Sequence, residues 1–535
     1  MTGIAKPPLL GKREIESILS QRFAKDRFCR LKDLPPPEKL HGIPQACDLI
    51  IEAMQQKRRI VVIGDYDVDG IVSTAIMVDF FHRLSYPISS VIPNRFCDGY
   101  GLSPALIERL EADLIITVDN GIMAHEAAKI CQERGISLII TDHHTPPLEL
   151  PCAKVIINPK LSCCSFPQKE ICGASVAWYL CAALKGRLGA KIDMGEFLDL
   201  LALAIIADVM PLVEVNRLLV RQGLKEMARS NRAAFIVLKE KLRKSHFSGE
   251  DIAFFIAPLL NSAGRMEDAS LSLEFLLSDS ILEAGEKFDR LCALNCLRKE
   301  TESRLFEEAL GQIDLCGEAL LAYGEDWHEG VLGIVASRLT DRYKKPAFIL
   351  TQKEGSLKGS ARSVGELDLV RLLQKSHHLL LRYGGHKGAA GIQLRRENFE
   401  SFKQAIEEEL SRIKERIEWR CEGEECLGEI ALESVDAELL DILERFEPYG
   451  EGNPKPRFFC KELKVCRYKI VGAEKNHTSL VLKNLSGGDE RKAIAFRQVY
   501  EFAPLASVSC LFSLSRDIFS TESIPQLIIE RLEIL

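Results

Sequence analysis

Carboxylates and imidazoles crowd into four short stretches of this sequence: Asp65, Asp67 and Asp69 within 64–70, Asp119 followed by Asn120 and Gly121, Asp142 followed by His143 and His144, and Asp208 alone. Alternating aspartates, and an aspartate running into two histidines, offer the oxygen and nitrogen donors that hold divalent cations. Taken singly, each stretch has a plainer reading. An aspartate at a strand-to-helix junction is more often an N-cap than a ligand, and paired histidines are often a solvated surface pair. Taken together, five or six such groups facing one another would repel or strand buried charge, and cations between them resolve this. The glycines of 64–70 do not make a dinucleotide loop instead, because their spacing is not G-x-G-x-x-G and the acidic interior would repel a pyrophosphate.

The elements that must position these groups are legible from periodicity. Apolar runs rich in Ile and Val at 60–63, 114–118 and 138–141 each lead directly into one acidic stretch, and a fourth run lies at 155–157. Runs this short, separated by helical stretches, predict strands buried on both faces of a doubly wound parallel sheet. The carboxyl ends of such strands form one edge, where the ligand crevice opens. Asp208 closes a further apolar segment, 201–207. From 216 to 313 the pattern turns helical and ends in a long charged stretch, 281–313, that reads as a connector between lobes. A second α/β unit is expected over about 318–410, with strands near Leu320 and Phe348 and a glycine-rich turn at Gly384-Gly385. From about Leu427 the turn-rich 448–454 opens a small antiparallel β domain.

At 535 residues the chain has room for three to four domains. With 46% hydrophobic and 27% charged residues it is an ordinary soluble globular protein, which excludes disordered and fibrous classes. The net charge of −7 means that any nucleic-acid site is a local surface. Residues 341–396 hold 12 basic and 4 acidic side chains, whereas 397–447 hold 6 and 17, so a basic face stands beside an acidic boundary helix and linker. The N-terminal stretch has no apolar region of signal-peptide length and the apolar run 200–207 is too short to span a bilayer, so a cytoplasmic protein without membrane partners is expected. The 17 cysteines, with no C-x-x-C pair, are read as reduced thiols mostly in the core. The expected organisation is an arm (1–57), a catalytic α/β domain (58–215), a helical connector (216–313), a second α/β domain (314–410), a linker (411–426) and a β domain (427–535).

GDYDVDG, TVDNGI, TDHH and IIADVMPL, in that order, resemble the successive motifs of the DHH phosphoesterase superfamily. IPNRFCDGYGLS, APLLNSAGRM, DWHEGVLGIVASRL, GSARS, GGHKGAAG and FEPYGEGNPKPRF narrow the resemblance to its single-strand-specific exonucleases of the RecJ family. The resemblance implies a DHH lobe, a DHH-associated lobe and a C-terminal OB-like domain. It implies Asp67, Asp69, Asp119, His143 and Asp208 as metal ligands, with Asp119 bridging two ions of Mn²⁺ or Mg²⁺ and Asp65 as a further ligand. Asp142 would orient His143, and His144 would act as an acid or touch the scissile phosphate. Arg95, Arg265, Ser360 and Arg362 would grip backbone phosphates, with His328 and His386 as further contacts. The activity implied is 5′-to-3′ degradation of single-stranded DNA to mononucleotides in repair and recombination, with a helicase and a single-strand-binding protein as partners. Tyr449, Phe458 and Phe459, near the entry of the last domain, are expected to stack on bases. The alternatives are a phosphoesterase for short oligonucleotides, which would not need the last domain, and a dead scaffold, which would have lost ligands.

Overall fold

The computed structural model describes residues 8–99, 101–353, 355–413, 426–472, 475–503, 505–516 and 525–535. The expected linker therefore lies almost wholly outside the described residues. Within them are three sheets. The first contains β1 (Ile60–Ile63), β2 (Ser89–Val91), β3 (Leu114–Val118), β4 (Ser137–Thr141) and β5 (Val155–Ile157) in the order β2-β1-β3-β4-β5, all parallel. Alternate side chains of β1 enter two different cores. Ile60 and Val62 pack with the helices Val68–Arg83 and Gly173–Leu188, while Val61 and Ile63 pack with the helix His125–Glu133. Burial on both faces is what a continuous apolar run requires.

The register decides where the chemistry falls. Ile63 lies opposite Thr117, and Val118 opposite Thr141, so β1, β3 and β4 end almost level and release their acidic loops along one edge. Chain order reverses between β1 and β3, which places the switch point between Asp65 and Asp119. The apolar segment before Asp208 is a buried helix, Leu198–Ala207. Further helices, from Glu214–Arg229 to the 30-residue Ile281–Leu310, join this lobe to the second.

The second sheet runs β6-β7-β8-β10-β9, from β6 (Leu320–Glu325), β7 (Ala347–Lys353), β8 (Ser356–Arg362), β9 (Leu380–Gly385) and β10 (Ala389–Arg395). The helix Glu329–Tyr343 packs on β7 and β8. Gly384 and Gly385 belong to the exposed edge strand β9, and the turn comes after them at 386–388. The expectation of a turn at the two glycines is corrected: β10 supplies ladder partners to both.

The third sheet contains β11 (Cys426–Glu429), β12 (Arg457–Val471), β13 (His477–Asn484), β14 (Gly487–Ala495), β15 (Ser507–Arg516) and β16 (Pro525–Ile534). Strands β12-β13-β14-β16-β15 close on themselves through β12–β15, a five-stranded barrel of OB type with one parallel pair, β14–β16. Its interior corrects the expected stacking aromatics. Phe458 is fully buried against Phe512, and Tyr449 is part-buried with its hydroxyl donating to the Leu443 carbonyl at 2.6 Å. Phe459 is half-buried. Among the described residues the open rings on this domain are Tyr468 and Phe496. The arm divides its loyalties: Ile15 and Leu19 enter the barrel's core, while Leu40, Ile43 and Ile50 enter that of the first lobe. Among the described residues no helix is long and apolar enough to cross a membrane.

Candidate active site

Asp67, Asp69 and Asp142 are held by backbone N–H groups at the ends of their strands, and Asp208 follows the buried helix Leu198–Ala207. Asp67 caps the helix Val68–Arg83, its Oδ1 accepting from Gly70 N at 3.1 Å, and Asp69 sits in the first turn. The chain doubles back so tightly that a Cβ on Gly70 would stand 2.4 Å from Asp65 N. Asp69 accepts from Gly173 N at 2.5 Å and Ala174 N at 2.9 Å, the start of the helix Gly173–Leu188. A Cβ on Gly173 would meet Asp119 Cβ at 2.5 Å, so this helix end can approach both carboxylates only as glycine. Asp119 itself is held at φ +64°, a conformation that non-glycine residues adopt at some energetic cost and that clusters at functional sites. Asn120 fixes the turn, donating to the carbonyls of Ile63 and Val118 and accepting from Leu102 N.

His143 Nε2 stands 3.1 Å from Asp119 Oδ1, 3.6 Å from Asp208 Oδ2 and 3.7 Å from Asp69 Oδ2. Donor atoms of Asp65, Asp67 and Asp119 lie within 4.8 Å of one another, as do those of Asp69, His143 and Asp208, and those of Asp119, His143 and His144. All six expected ligands thus converge, with Asp119 and His143 shared between groups. Burial first, and then mutual repulsion, raise Asp65 and Asp119 well above the carboxylate range, Asp69 to about 6 and Asp208 to about 9. Burial and the neighbouring His144 lower the His143 imidazole to about 3, which leaves it neutral, as a metal ligand must be. Asp65 Oδ1 and Asp208 Oδ2 are buried without a hydrogen-bond partner among the described residues. Such a donor set, all oxygen with one or two imidazoles, fits hard divalent cations such as Mn²⁺ or Mg²⁺.

Asp142 is spoken for. Its Oδ1 accepts from the backbone N–H of His143 and His144 and lies 2.7 Å from His144 Nδ1, while Oδ2 accepts from Ile122 N. It therefore orients the ring of His144 and only the backbone of His143, which corrects the expected pairing. Burial works to lower the His144 imidazole, yet the hydrogen bond to Asp142 and the fields of Asp142, Asp208 and Asp67 hold it up to about 9, so it carries a proton beside the cluster. His386, from the second lobe, stacks over it at 6.3 Å.

A second cluster adjoins the first with opposite charge. Arg95 lies over the ring of Tyr66, between Asp65 and Asp67, at 4.1 Å, and its Nε is buried without a hydrogen-bond partner among the described residues. Arg362 Nη1 donates to Ser360 Oγ at 2.6 Å, and Arg265 Nη1 to the Gly330 carbonyl at 3.3 Å. Burial, then Arg95, Arg298 and Arg362, lower Arg265 to about 10, and burial and Arg95 lower Arg362. His328 caps the helix Glu329–Tyr343 and meets Phe96 at 5.5 Å on the rim of this cluster. Arg298, which sequence reasoning missed, is the fourth guanidinium, tied to Glu302 at 2.7 Å. Its signal was present: Arg298 and Glu302 interrupt the buried stripe Leu291, Leu294, Leu305 of an otherwise charged helix. Tyr66 and Lys160, whose charge bears on Asp208, were also missed.

The model for the DHH family, N-terminal domain, matches residues 59–205, that for the DHHA1 domain 317–412 and that for the RecJ OB domain 428–531. The single-stranded-DNA-specific exonuclease RecJ of Haemophilus influenzae is 35% identical over 94% of this chain and 92% of its own length. The chain belongs to the RecJ family. RecJ of Escherichia coli is 34% identical over 92% of this chain and 89% of its own length. Among solved structures, RecJ of Thermus thermophilus in complex with Mn²⁺ superposes with TM-score 0.82 at 31% identity, covering 99% of this chain and 78% of that one. The Mg²⁺ complex from the same organism gives 0.75 at 30% identity, over 99% and 77%.

Proposed function

We propose that this chain is a metal-dependent exonuclease that degrades single-stranded DNA from the 5′ end to mononucleotides, in DNA repair and recombination. The observation that carries the reading is the adjacency of a carboxylate cluster that needs cations and an arginine cluster that needs an anion, in one cleft between two lobes. In this reading 58–215 bears the chemistry, 314–410 closes the phosphate site and 427–535 holds the trailing strand.

Asp65, Asp67 and Asp119 would hold one cation and Asp69, Asp119, His143 and Asp208 a second. When bound, such a pair would polarise a water and neutralise charge on the phosphate. His144, protonated and aimed by Asp142, donates toward the scissile phosphate and its leaving 3′-oxygen. Arg95, Arg265, Arg362 and Ser360 hold the terminal 5′-phosphate, which carries more charge than an internal diester, and so select that end. His328 and His386 line the approach. A helicase and a single-strand-binding protein would deliver the unpaired strand, in a reducing cytoplasm that keeps the cysteines as thiols.

Single strands labelled at the 5′ or the 3′ end, incubated with and without Mn²⁺, test the reading. Early release of 5′ label that depends on the metal is expected. First release from the 3′ end would overturn the polarity and leave the nuclease reading standing.

A further inference from the structure

Asp208 stands where a carboxylate is poorly tolerated. It is the C-cap of the buried helix Leu198–Ala207, at the negative end of that helix's dipole, and its Oδ2 is buried without a hydrogen-bond partner among the described residues. A lysine that the proposed mechanism does not use is brought to the same edge. Strand β5 runs beside β4, with Ile157 opposite Thr141 and its carbonyl accepting from Asp142 N at 3.0 Å, so residues 158–160 emerge next to 142–144. The buried Asn158 ties the two loops together: its Nδ2 donates to the His144 carbonyl at 2.9 Å, and its Oδ1 accepts from Lys160 N at 2.8 Å. Half-buried, Lys160 places its Nζ 3.0 Å from the carboxylate of the exposed Glu170. Glu170 is fixed in turn. The buried Asn216 amide donates to the carbonyls of Glu170 at 2.8 Å and Pro211 at 3.0 Å, and three residues after Glu170 the N–H of Gly173 holds Asp69. The ion pair therefore borders the donor group of Asp69, His143 and Asp208.

The charge of Lys160 reaches this group. Burial, then Asp69 and Asp67, raise Asp208, and His144 and Lys160 pull it back; burial and His144 lower His143, and Lys160 adds to that. Asp65, in the other donor group, is raised by burial and Asp67 and pulled back by Arg95 and His144. A fixed ammonium competes with a divalent ion for the field of Asp208, and repels that ion with twice the energy it has with a unit charge. A pair with one exposed partner adds little to the stability of a fold, so its main bearing is on the charges beside it. We propose, resting on the metal-dependent reading above, that the Lys160–Glu170 pair sets how tightly the cation of the Asp69, His143 and Asp208 group is held. Lys160 loosens that cation, Glu170 restrains Lys160, and the cation of Asp65, Asp67 and Asp119 is much less affected. The two cation positions thereby differ in affinity, and the one beside Asp208 is the exchangeable one.

Titration of the full chain with Mn²⁺, followed by the electron paramagnetic resonance of the free ion, reads affinity without turnover. The comparison is made in two backgrounds: Asp65→Asn, which keeps the Asp69, His143 and Asp208 group, and Asp208→Asn, which damages it. In the first background Lys160→Met is expected to tighten Mn²⁺ at least about fivefold. Lys160→Arg, which keeps the charge, is expected to leave the affinity where it was, and Glu170→Gln to weaken it. In the second background Lys160→Met is expected to change the affinity by less than about twofold. No tightening in the first background, equal tightening in both, tightening by Lys160→Arg as large as by Lys160→Met, or an unchanged affinity in Glu170→Gln would overturn the proposal. A wild type that binds no Mn²⁺ would overturn the metal-dependent reading itself. One that binds two ions, with variants that do not respond, would overturn only the role of the Lys160–Glu170 pair.

Discussion

Asp65, Asp67, Asp69 and Asp119 come from two neighbouring strand ends of one sheet, those of β1 and β3, whereas Arg95, Arg265 and Arg362 come from the first lobe, the helical connector and the second lobe. Both groups gather like charges out of water, and both push their members toward the neutral form. The carboxylates do so within one rigid sheet edge, so their spacing is set before any substrate arrives. The arginines meet only because the lobes pack, so their spacing depends on the closure of the cleft. A preorganised site for cations and an interface-built site for an anion stand side by side, joined by Tyr66 under Arg95. In the proposed function, cleavage chemistry falls to the first and recognition of the strand end to the second.

If the division holds, damage to the two regions has separable signatures. The largest effect is expected from Asp119→Ala. It empties both cation positions, hydrolysis falls by more than about 100-fold, and the rise in melting temperature on adding Mn²⁺ disappears while the folded circular dichroism spectrum is kept. A variant that still cleaves near the wild-type rate would break the assignment of the cations to this edge. Next comes Arg95→Ala, for which the preference for a 5′-phosphorylated over a 5′-hydroxyl strand is expected to drop by about 10- to 100-fold. Its response to Mn²⁺ should match that of the wild type. A lost Mn²⁺ response in this variant would show that the two regions are one.

Smaller effects are expected away from the cleft. Phe496→Ala and Tyr468→Ala, both open on the barrel surface, should each weaken binding of a long strand by roughly fivefold or more, with rates on short strands unchanged. Unchanged affinity in both would remove the barrel from the strand's path. The smallest effect sharpens the comparison by a control, the carboxylate Glu447, which lies outside both clusters. Burial, then Glu444, raises it from its ordinary 4.5 to about 7. A raised folded-state value means that the folded chain binds the extra proton, so this contribution to stability is full below about 4.5 and is lost as pH rises through about 7. Glu447→Gln is therefore expected to be more stable than the wild type by about 1–2 kcal/mol at pH 8 and nearly equal to it at pH 4.5, by denaturant titration. A stability difference that does not change with pH would refute the buried, protonated carboxyl.

Much of the first region was legible in the sequence because its determinants are local. An apolar run of four or five residues can be buried on both faces only inside a parallel sheet, and the residues after it must then emerge at the carboxyl edge, so chain order alone places Asp67, Asp119 and His143. The partner of Asp142 was not legible in this way, since adjacent histidines differ only in which ring turns back. Periodicity likewise could not say that Phe458 points into the barrel, because inward and outward exchange with a one-residue shift in a closure made by β12 and β15. Nor could it bring Ile15 and Leu19 of the arm onto the barrel more than 400 residues later, or set Arg265 against Gly330 and Gly333 against Arg362. Those contacts exist because each lobe has apolar surface that only another lobe can cover. Which surfaces meet is decided by the free energy of the whole chain, so the strand ends that carry the acidic groups were written in the sequence, while the meeting of Arg95, Arg265 and Arg362 in space had to await the tertiary structure.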